Sequence, residues 1–351
     1  MKFKTVELPF HVYIGEGAIS KIPRVLETLE VQSLMLITDP IVYDLVARII
    51  EEELQDMLYS TSLVERASME EVRKIVVSAG YSDIDAVIGI GGGKVLDVSK
   101  VVSSELNAAF ISVPTTASHD GIASPVASFK ENGRPISIST HPPSAVLADL
   151  TIIKKCPIRL LRSGYGDLIS NVSSIKDWQL ARDLIGENYS EVAASISVMP
   201  AELMLSKAEE LDLLILPHLE LLLRGLVMSG VAIAFVGSSR PASGAEHKFS
   251  HALDYLGYGS GTHGEQVALG TIIMEYLHEK HYGRGDWELI KTSLEKVKAP
   301  TKAKEIGLTK EQVIEALIYA KKIRKKRFTI LEAVNPDKEE FEITLEKVGI
   351  I

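Results

Sequence analysis

The run Ala86-Val87-Ile88-Gly89-Ile90-Gly91-Gly92-Gly93-Lys94-Val95-Leu96-Asp97-Val98-Ser99-Lys100 leaves little choice of fold. A short apolar stretch without polar alternation is the pattern of a parallel strand covered on both faces. Three consecutive glycines follow, where the backbone can come close to something bulky, and a helical pattern starts at once. Amides at such a helix start suit a phosphate. Two common phosphate loops do not fit: the Gly-x-Gly-x-x-Gly turn needs glycine where Lys94 stands, and the nucleoside-triphosphatase loop needs Ser or Thr where Val95 stands. A pyrophosphate turn of another kind, or a turn that only packs helix on strand, remains.

The same alternation runs through the first 150 residues. Apolar runs at 34–38, 85–90, 109–113 and 145–148 predict strands, with helical patterns at 41–58, 69–79 and 95–106 between them. This predicts an open parallel sheet with helices on both faces. Asp39 follows the first of these strands, where such sheets often hold a ribose. The stretch 128–138, with Asn132-Gly133 near its middle, predicts a β-hairpin inserted before the last strand. From about Thr151 strand signals vanish. The chain therefore divides into an α/β domain, residues 1–150, and an all-helical domain, residues 151–351.

Composition narrows the function. With 351 residues, 46% of them hydrophobic, the chain has material for two cores. A net charge of −9 argues against nucleic acid or an anionic membrane as partner. A single cysteine, Cys156, excludes an internal disulfide and a cysteine-rich zinc site, and fits a reducing cytoplasm. The amino terminus has no apolar signal core. The uncharged stretch 225–239, between Arg224 and Arg240, reads as a buried core helix too short to cross a bilayer. Lys321-Lys322-Ile323-Arg324-Lys325-Lys326-Arg327 reads as the solvated face of a helix. A cytoplasmic chain without membrane insertion is expected.

The helical half carries a metal-type pattern. His247 and His251 are four apart and share a helix face, and His263 follows a glycine-rich turn that can swing it back towards them. Lys248 stands where a zinc protease would place glutamate after the first histidine. Paired imidazoles bonded within the core would show the same spacing. Asp120 can cap a turn with Gly121, and Asp167 can cap a helix starting at Leu168.

The nucleotide sheet, the Gly-Gly-Gly-Lys-x-x-Asp-x-x-Lys turn and the dispersed ligand types together resemble the superfamily of iron-containing alcohol dehydrogenases, glycerol dehydrogenases and dehydroquinate synthases. Within it, 113–125 (Val-Pro-Thr-Thr-Ala-Ser-His-Asp-Gly-Ile-Ala-Ser-Pro), 166–171 (Gly-Asp-Leu-Ile-Ser-Asn), 240–251 and 263–265 are similar to the archaeal sn-glycerol-1-phosphate dehydrogenase family. The resemblance implies a Rossmann-like domain followed by a helical domain of the dehydroquinate synthase-like kind. It implies one zinc ion per chain on Asp167, His247 and His263, so that His251 is a neighbour of the metal and not a ligand. It implies NAD(P)H contacts at Gly93, Lys94, Val95, Leu96 and Asp97, at Thr115, Thr116, Ala117 and Ser118, and at Ser124. Substrate contacts fall on Asp120, Asp167 and His251, the catalytic candidates, and the reaction implied is reduction of dihydroxyacetone phosphate to sn-glycerol 1-phosphate for ether-lipid backbones. Arg240, placed like an arginine of dehydroquinate synthases, is the candidate for the substrate phosphate. The alternative is a glycerol dehydrogenase acting on an unphosphorylated substrate. A lyase would need more well-placed cations than this segment offers beside Arg240. Large apolar helices point to a homo-oligomer.

Overall fold

The computed structural model describes residues 6–80, 82–131 and 134–351, and the chain divides into two compact units, residues 1–157 and 158–351. In the first unit β1 (His11–Gly15), β2 (Leu34–Thr38), β3 (Leu58–Leu63), β4 (Ala86–Gly91), β5 (Ala109–Pro114) and β8 (Ala145–Asp149) form one sheet in the order β1-β8-β5-β4-β2-β3. All its neighbouring pairs are parallel. β6 (Val126–Glu131) and β7 (Arg134–Ser139) pair antiparallel as a separate hairpin. The Asn132-Gly133 turn expected for it lies outside the described residues.

Side chains alternate along each strand and feed two cores. Leu34, Leu36, Ile88 and Leu147 pack on one face, and Met35, Ile37 and Val87 pack with Val98 on the other. The helices Met69–Ala79 and Gly93–Leu106 form where the pattern placed them, the first capped by Ser68 Oγ, which accepts from Glu71 N at 3.3 Å. β1 and β3 were not expected. Both are edge strands of mixed burial and lack a continuous apolar run. The helix predicted over 41–58 is broken into short pieces that end at Glu53, and β3 begins at Leu58.

The first unit extends past the expected boundary at 150. Asp149 Oδ1 accepts from Thr151 N at 3.0 Å and caps the helix Leu150–Ile153, which packs on β1 and β8 and keeps this segment with the sheet.

Among the described residues the second unit is helical throughout. Its principal helices are Ile158–Ile169, Asn171–Ile185, Glu191–Ser206, Leu216–Val236, Ala245–Leu256 and His263–Tyr282. The apolar helix Leu216–Val236 is longer than the sequence reading allowed, and its 21 residues reach the length that crosses a bilayer, about 20. Leu219, Leu222, Leu223 and Leu226 are fully buried, and the helix packs against Glu191–Ser206 and Ile158–Ile169 as the core of this unit. The basic run 321–327 also departs from expectation. Its helix, Lys310–Ala320, ends before it and the run lies in turns.

One buried ion pair positions the hairpin against the helix Gly93–Leu106. Lys100, with no exposed surface, donates from Nζ to Val126 O at 2.8 Å and to Asp97 Oδ1 at 3.4 Å, while Asp97 Oδ2 accepts from Ser128 N at 3.1 Å. Removing one partner leaves the other charge buried alone. Lys100→Met is expected to lower the unfolding free energy by about 3–5 kcal/mol, read from urea melts; a loss below about 1 kcal/mol contradicts this account of the pair.

Candidate active site

The first unit gathers its expected cofactor residues at the carboxyl ends of adjacent strands. Asp39 follows β2, Gly92 and Gly93 follow β4, and Thr115 to Ser118 follow β5. β2 leads outward to β3 while β4 starts the run in the opposite direction, so the chain switches between β2 and β4, the place where open sheets form a ligand crevice. Asp39 Oδ1 accepts from Ile41 N and Val42 N, both at 3.0 Å, and Oδ2 lies 3.8 Å from Lys94 Nζ. It therefore caps a helix and faces the glycine turn at once. A Cβ on Gly93 would meet His119 Nε2 at 2.2 Å, so glycine is what allows this imidazole against the helix start. His119 is a residue the sequence reading missed. Its Nδ1 accepts from Gly121 N at 2.9 Å, which makes His119, not Asp120, the cap of the turn Asp120–Ile122. Ser124 N bonds to Asp120 O at 3.1 Å and Ser124 is buried. Val95, Leu96 and Ala117 are buried, and the Asp97 carboxylate is held by the hairpin, so the side chains of these four are engaged within the unit. A glycine turn opening a helix at the switch point, with Lys94 beside it, fits a dinucleotide pyrophosphate.

The second unit brings Asp167, His247 and His263 together: one ligand atom from each lies within 4.8 Å of the others. Asp167 sits inside the helix Ile158–Ile169, so it caps nothing, and its Oδ1 lies 3.6 Å from His247 Nε2 and 3.5 Å from His263 Nε2. A close backbone crossing makes this possible. A Cβ on Gly264 would stand 1.9 Å from Ser163 O, and one on Gly166 would stand 2.6 Å from Gly264 O. Across the same crossing Arg159 grips Glu265 through Nε and Nη2, both at 2.7 Å, and Glu265 Oε2 accepts from Thr262 N at 2.7 Å, fixing the start of the His263–Tyr282 helix.

The far nitrogens of both histidines are occupied. His247 Nδ1 lies 2.9 Å from Glu246 Oε1, a carboxylate that can only accept from it. Ser250 Oγ donates to Gln266 Oε1 at 2.7 Å, so at 3.2 Å it accepts from His263 Nδ1. Each Nδ1 is thereby committed as a donor, which leaves each Nε2, facing Asp167, as the atom that could bind a metal once deprotonated. One carboxylate and two Nε2 atoms fit a borderline divalent ion such as zinc and leave a coordination position for a substrate oxygen.

His251 differs. Its ring is 6.2 Å from that of His263 and carries no hydrogen bond among the described residues. Burial, reinforced by the charges of Arg324, His263, His247 and Arg327, pushes it well below the usual histidine range, so it is neutral at pH 7. Ser170 and Asn171 have packing roles: Ser170 Oγ donates to Asp167 O at 2.7 Å, and Asn171 Nδ2 to Ser229 Oγ at 3.1 Å. The expectation for Arg240 is corrected. It is 4% exposed, its Nε donates to Glu187 Oε1 at 2.6 Å, Nη2 pairs with Oε2, and Nη1 donates to Phe328 O at 2.8 Å, so its fork is engaged inside the protein.

Comparison with known proteins identifies the family. Residues 13–157 match the family described as iron-containing alcohol dehydrogenase. The crystal structure of glycerol dehydrogenase from Schizosaccharomyces pombe superimposes with a TM-score of 0.78 at 21% identity, covering 100% of this chain and 94% of that one. The fold is thus that of the iron-containing alcohol dehydrogenases. Glycerol-1-phosphate dehydrogenase (NAD(P)+) of Archaeoglobus fulgidus is 76% identical over 350 residues, 100% of both chains, and that of Methanosphaera stadtmanae is 43% identical over 94% of both. The chain belongs to the glycerol-1-phosphate dehydrogenase family.

Burial pulls His247 down, but the hydrogen bonds and negative charges of Asp167 and Glu246 outweigh it and raise its pKa to about 9. In protein stripped by chelation His247 is therefore protonated below that value. The proton stabilises the stripped fold fully below the ordinary value of 6.5, and that contribution fades as pH rises through about 9. A zinc ion bound by His247 would have to displace the same proton, so its apparent affinity is expected to climb about tenfold per pH unit between pH 7 and 9 and then flatten. Calorimetric titration in two buffers of different ionisation enthalpy reads the proton released; flat affinity with no release contradicts the assignment.

Proposed function

We propose that this chain reduces dihydroxyacetone phosphate to sn-glycerol 1-phosphate with NADH or NADPH in the cytoplasm, with one zinc ion per chain held by Asp167, His247 and His263. The observation that carries the proposal is the convergence of these three groups beside a neutral His251. It is supported by full-length relatives that bear the glycerol-1-phosphate dehydrogenase name. The glycerol dehydrogenase alternative rests on fold likeness at 21% identity, which speaks for architecture and not for substrate.

When bound, the ion polarises a carbonyl oxygen and the dihydronicotinamide supplies a hydride. The protein's own residues do the rest. Glu246 and Ser250 hold both imidazoles in the tautomer whose Nε2 atoms point to one place, so no reorientation is needed during the reaction. His251 can accept a proton at one ring nitrogen while giving one from the other, and so can deliver a proton to the oxygen on C2 without holding net charge beside Arg324. Asp120, carried by the family pattern, takes a substrate hydroxyl. The turn from Gly93 to Asp97, Thr115 to Ser118 and Ser124 hold the cofactor, and Asp39 faces its ribose.

Following nicotinamide absorbance with dihydroxyacetone phosphate and with dihydroxyacetone tests the reading. The phosphate ester is expected to be preferred, and His251→Ala to retain one zinc per chain while losing about 10²–10⁴ in kcat. His247→Ala is expected to lose both metal and turnover. Equal use of the two substrates, or loss of zinc from His251→Ala, contradicts the proposal.

A further inference from the structure

The reaction proposed above leaves one fully buried carboxylate of the second unit without a role. Asp177 lies on Asn171–Ile185, the helix that follows the Asp167 helix after the single residue Ser170. Its Oδ2 accepts from Ala245 N at 2.7 Å. Its Oδ1 accepts from Ile330 N at 2.7 Å and from His278 Nε2 at 3.0 Å, a direction fixed because a carboxylate can only accept. Ala245 opens the helix that bears His247, and His278 lies on the helix that opens with His263. One carboxylate therefore bonds to both helices that carry the imidazole ligands, from a helix that continues the one carrying Asp167.

The bond to Ala245 supplies a cap that the local sequence lacks. Gly244 stands at the N-cap without a side-chain oxygen, and a Cβ there would lie 2.5 Å from Asp177 Oδ2, so the acceptor comes from another helix. The preceding amide is held as well. Gly244 N donates to Glu246 Oε1 at 2.6 Å, the oxygen that also lies 2.9 Å from His247 Nδ1. Backbone and ring of His247 are thus set by two carboxylates, Asp177 and Glu246. The cations of this region are engaged elsewhere: Lys248, on which the charge of Asp177 acts, pairs with Glu332 and donates to Arg327 O at 3.4 Å, and Arg324 and Arg327 donate to Ser243 and Ser239. Asp177 is left with two backbone amides and one imidazole, partners that report the positions of helices.

We propose that Asp177 is a positioning residue of the metal centre: by tying the start of Ala245–Leu256 to His263–Tyr282 it holds the two imidazole ligands at their spacing before the ion arrives. The inference rests on the zinc reading given above. A ligand set keeps its geometry only as well as the groups behind it are fixed, and loosening such support costs metal affinity.

The test compares wild type, Asp177→Asn and the control Asp337→Ala. Asp337 Oδ1 accepts from Glu340 N at 2.9 Å and caps Lys338–Val348, a helix that bears no ligand. Zinc affinity is measured by competition with a chromophoric chelator, folding by urea melts, and ligand geometry by the visible spectrum of cobalt-loaded protein. Asp177→Asn keeps the shape but presents one oxygen to three donors, and it is expected to weaken zinc binding about tenfold or more and to alter the cobalt bands while folded. Asp337→Ala is expected to lower the urea midpoint and to keep the wild-type zinc affinity and cobalt spectrum. If Asp177→Asn does not fold, His278→Leu, which cuts only the tie to the His263 helix, carries the test with the same expectation. Wild-type zinc affinity and cobalt spectrum in folded Asp177→Asn, or in His278→Leu in its place, overturn the inference and leave the zinc reading standing. A control that loses zinc to the same degree overturns it too, because any loss of stability would then suffice. Wild type that binds no zinc overturns the zinc reading and the inference together.

Discussion

The second unit depends on one contact, the backbone crossing of Ile158–Ile169 and His263–Tyr282 at Gly166 and Gly264. With a Cβ on Gly264 only 1.9 Å from Ser163 O, a side chain there would push two helices apart, and side-chain adjustment could not absorb it because the obstacle is backbone. Asp167 and His263 are the immediate neighbours of these two glycines in sequence. The crossing that removes the glycines' side chains therefore also sets the carboxylate and the imidazole face to face, and the Arg159–Glu265 fork holds the same junction from the outside. The third group arrives on Ala245–Leu256, which packs along the His263 helix.

Geometry alone does not distinguish three neighbouring histidines; their hydrogen bonding does. His247 and His263 each spend Nδ1 on a protein acceptor, which commits Nε2 to the centre. His251 is one helical turn beyond His247, carries no such bond among the described residues, and is kept neutral by burial and by the arginines nearby. An imidazole that is uncharged and unfixed suits proton transfer better than metal ligation. Electrostatics thus grade the region from the acidic Asp167 and Glu246, through neutral His251, to the cationic Arg324 and Arg327.

Much of this was legible in the sequence. β2, β4, β5 and β8 are nearly all apolar and helices follow their turns, so the parallel sheet could be read from residue order; β1 and β3 could not, because half-exposed edge strands carry no distinctive period. The glycine turn after β4 was read as either packing or cofactor cradle, and His119 beside Gly93 shows why spacing could not decide it: the neighbour comes from a different strand end. In the site, the grouping of Asp167, His247 and His263 came from family resemblance and not from periodicity, since Asp167 lies 80 residues from His247 and looked like a helix cap. Arg240 was misread because its partner Glu187 lies 53 residues away, and no local signal announces that pairing. Arg324 and Arg327 were hidden inside a run that looks solvated, and only the left-handed turn at Arg324 separates the inward arginines from the outward lysines.

The central claim is that one carboxylate and two imidazole Nε2 atoms, preset by their own hydrogen bonds, make a three-ligand centre for a divalent ion. X-ray absorption at the zinc edge, on protein loaded with one equivalent of zinc, addresses it most directly. The account predicts a first shell of nitrogen and oxygen only, at about 2.0–2.2 Å, with outer-shell scattering from two imidazoles. A sulfur at about 2.3 Å, or scattering from three imidazoles, would contradict it.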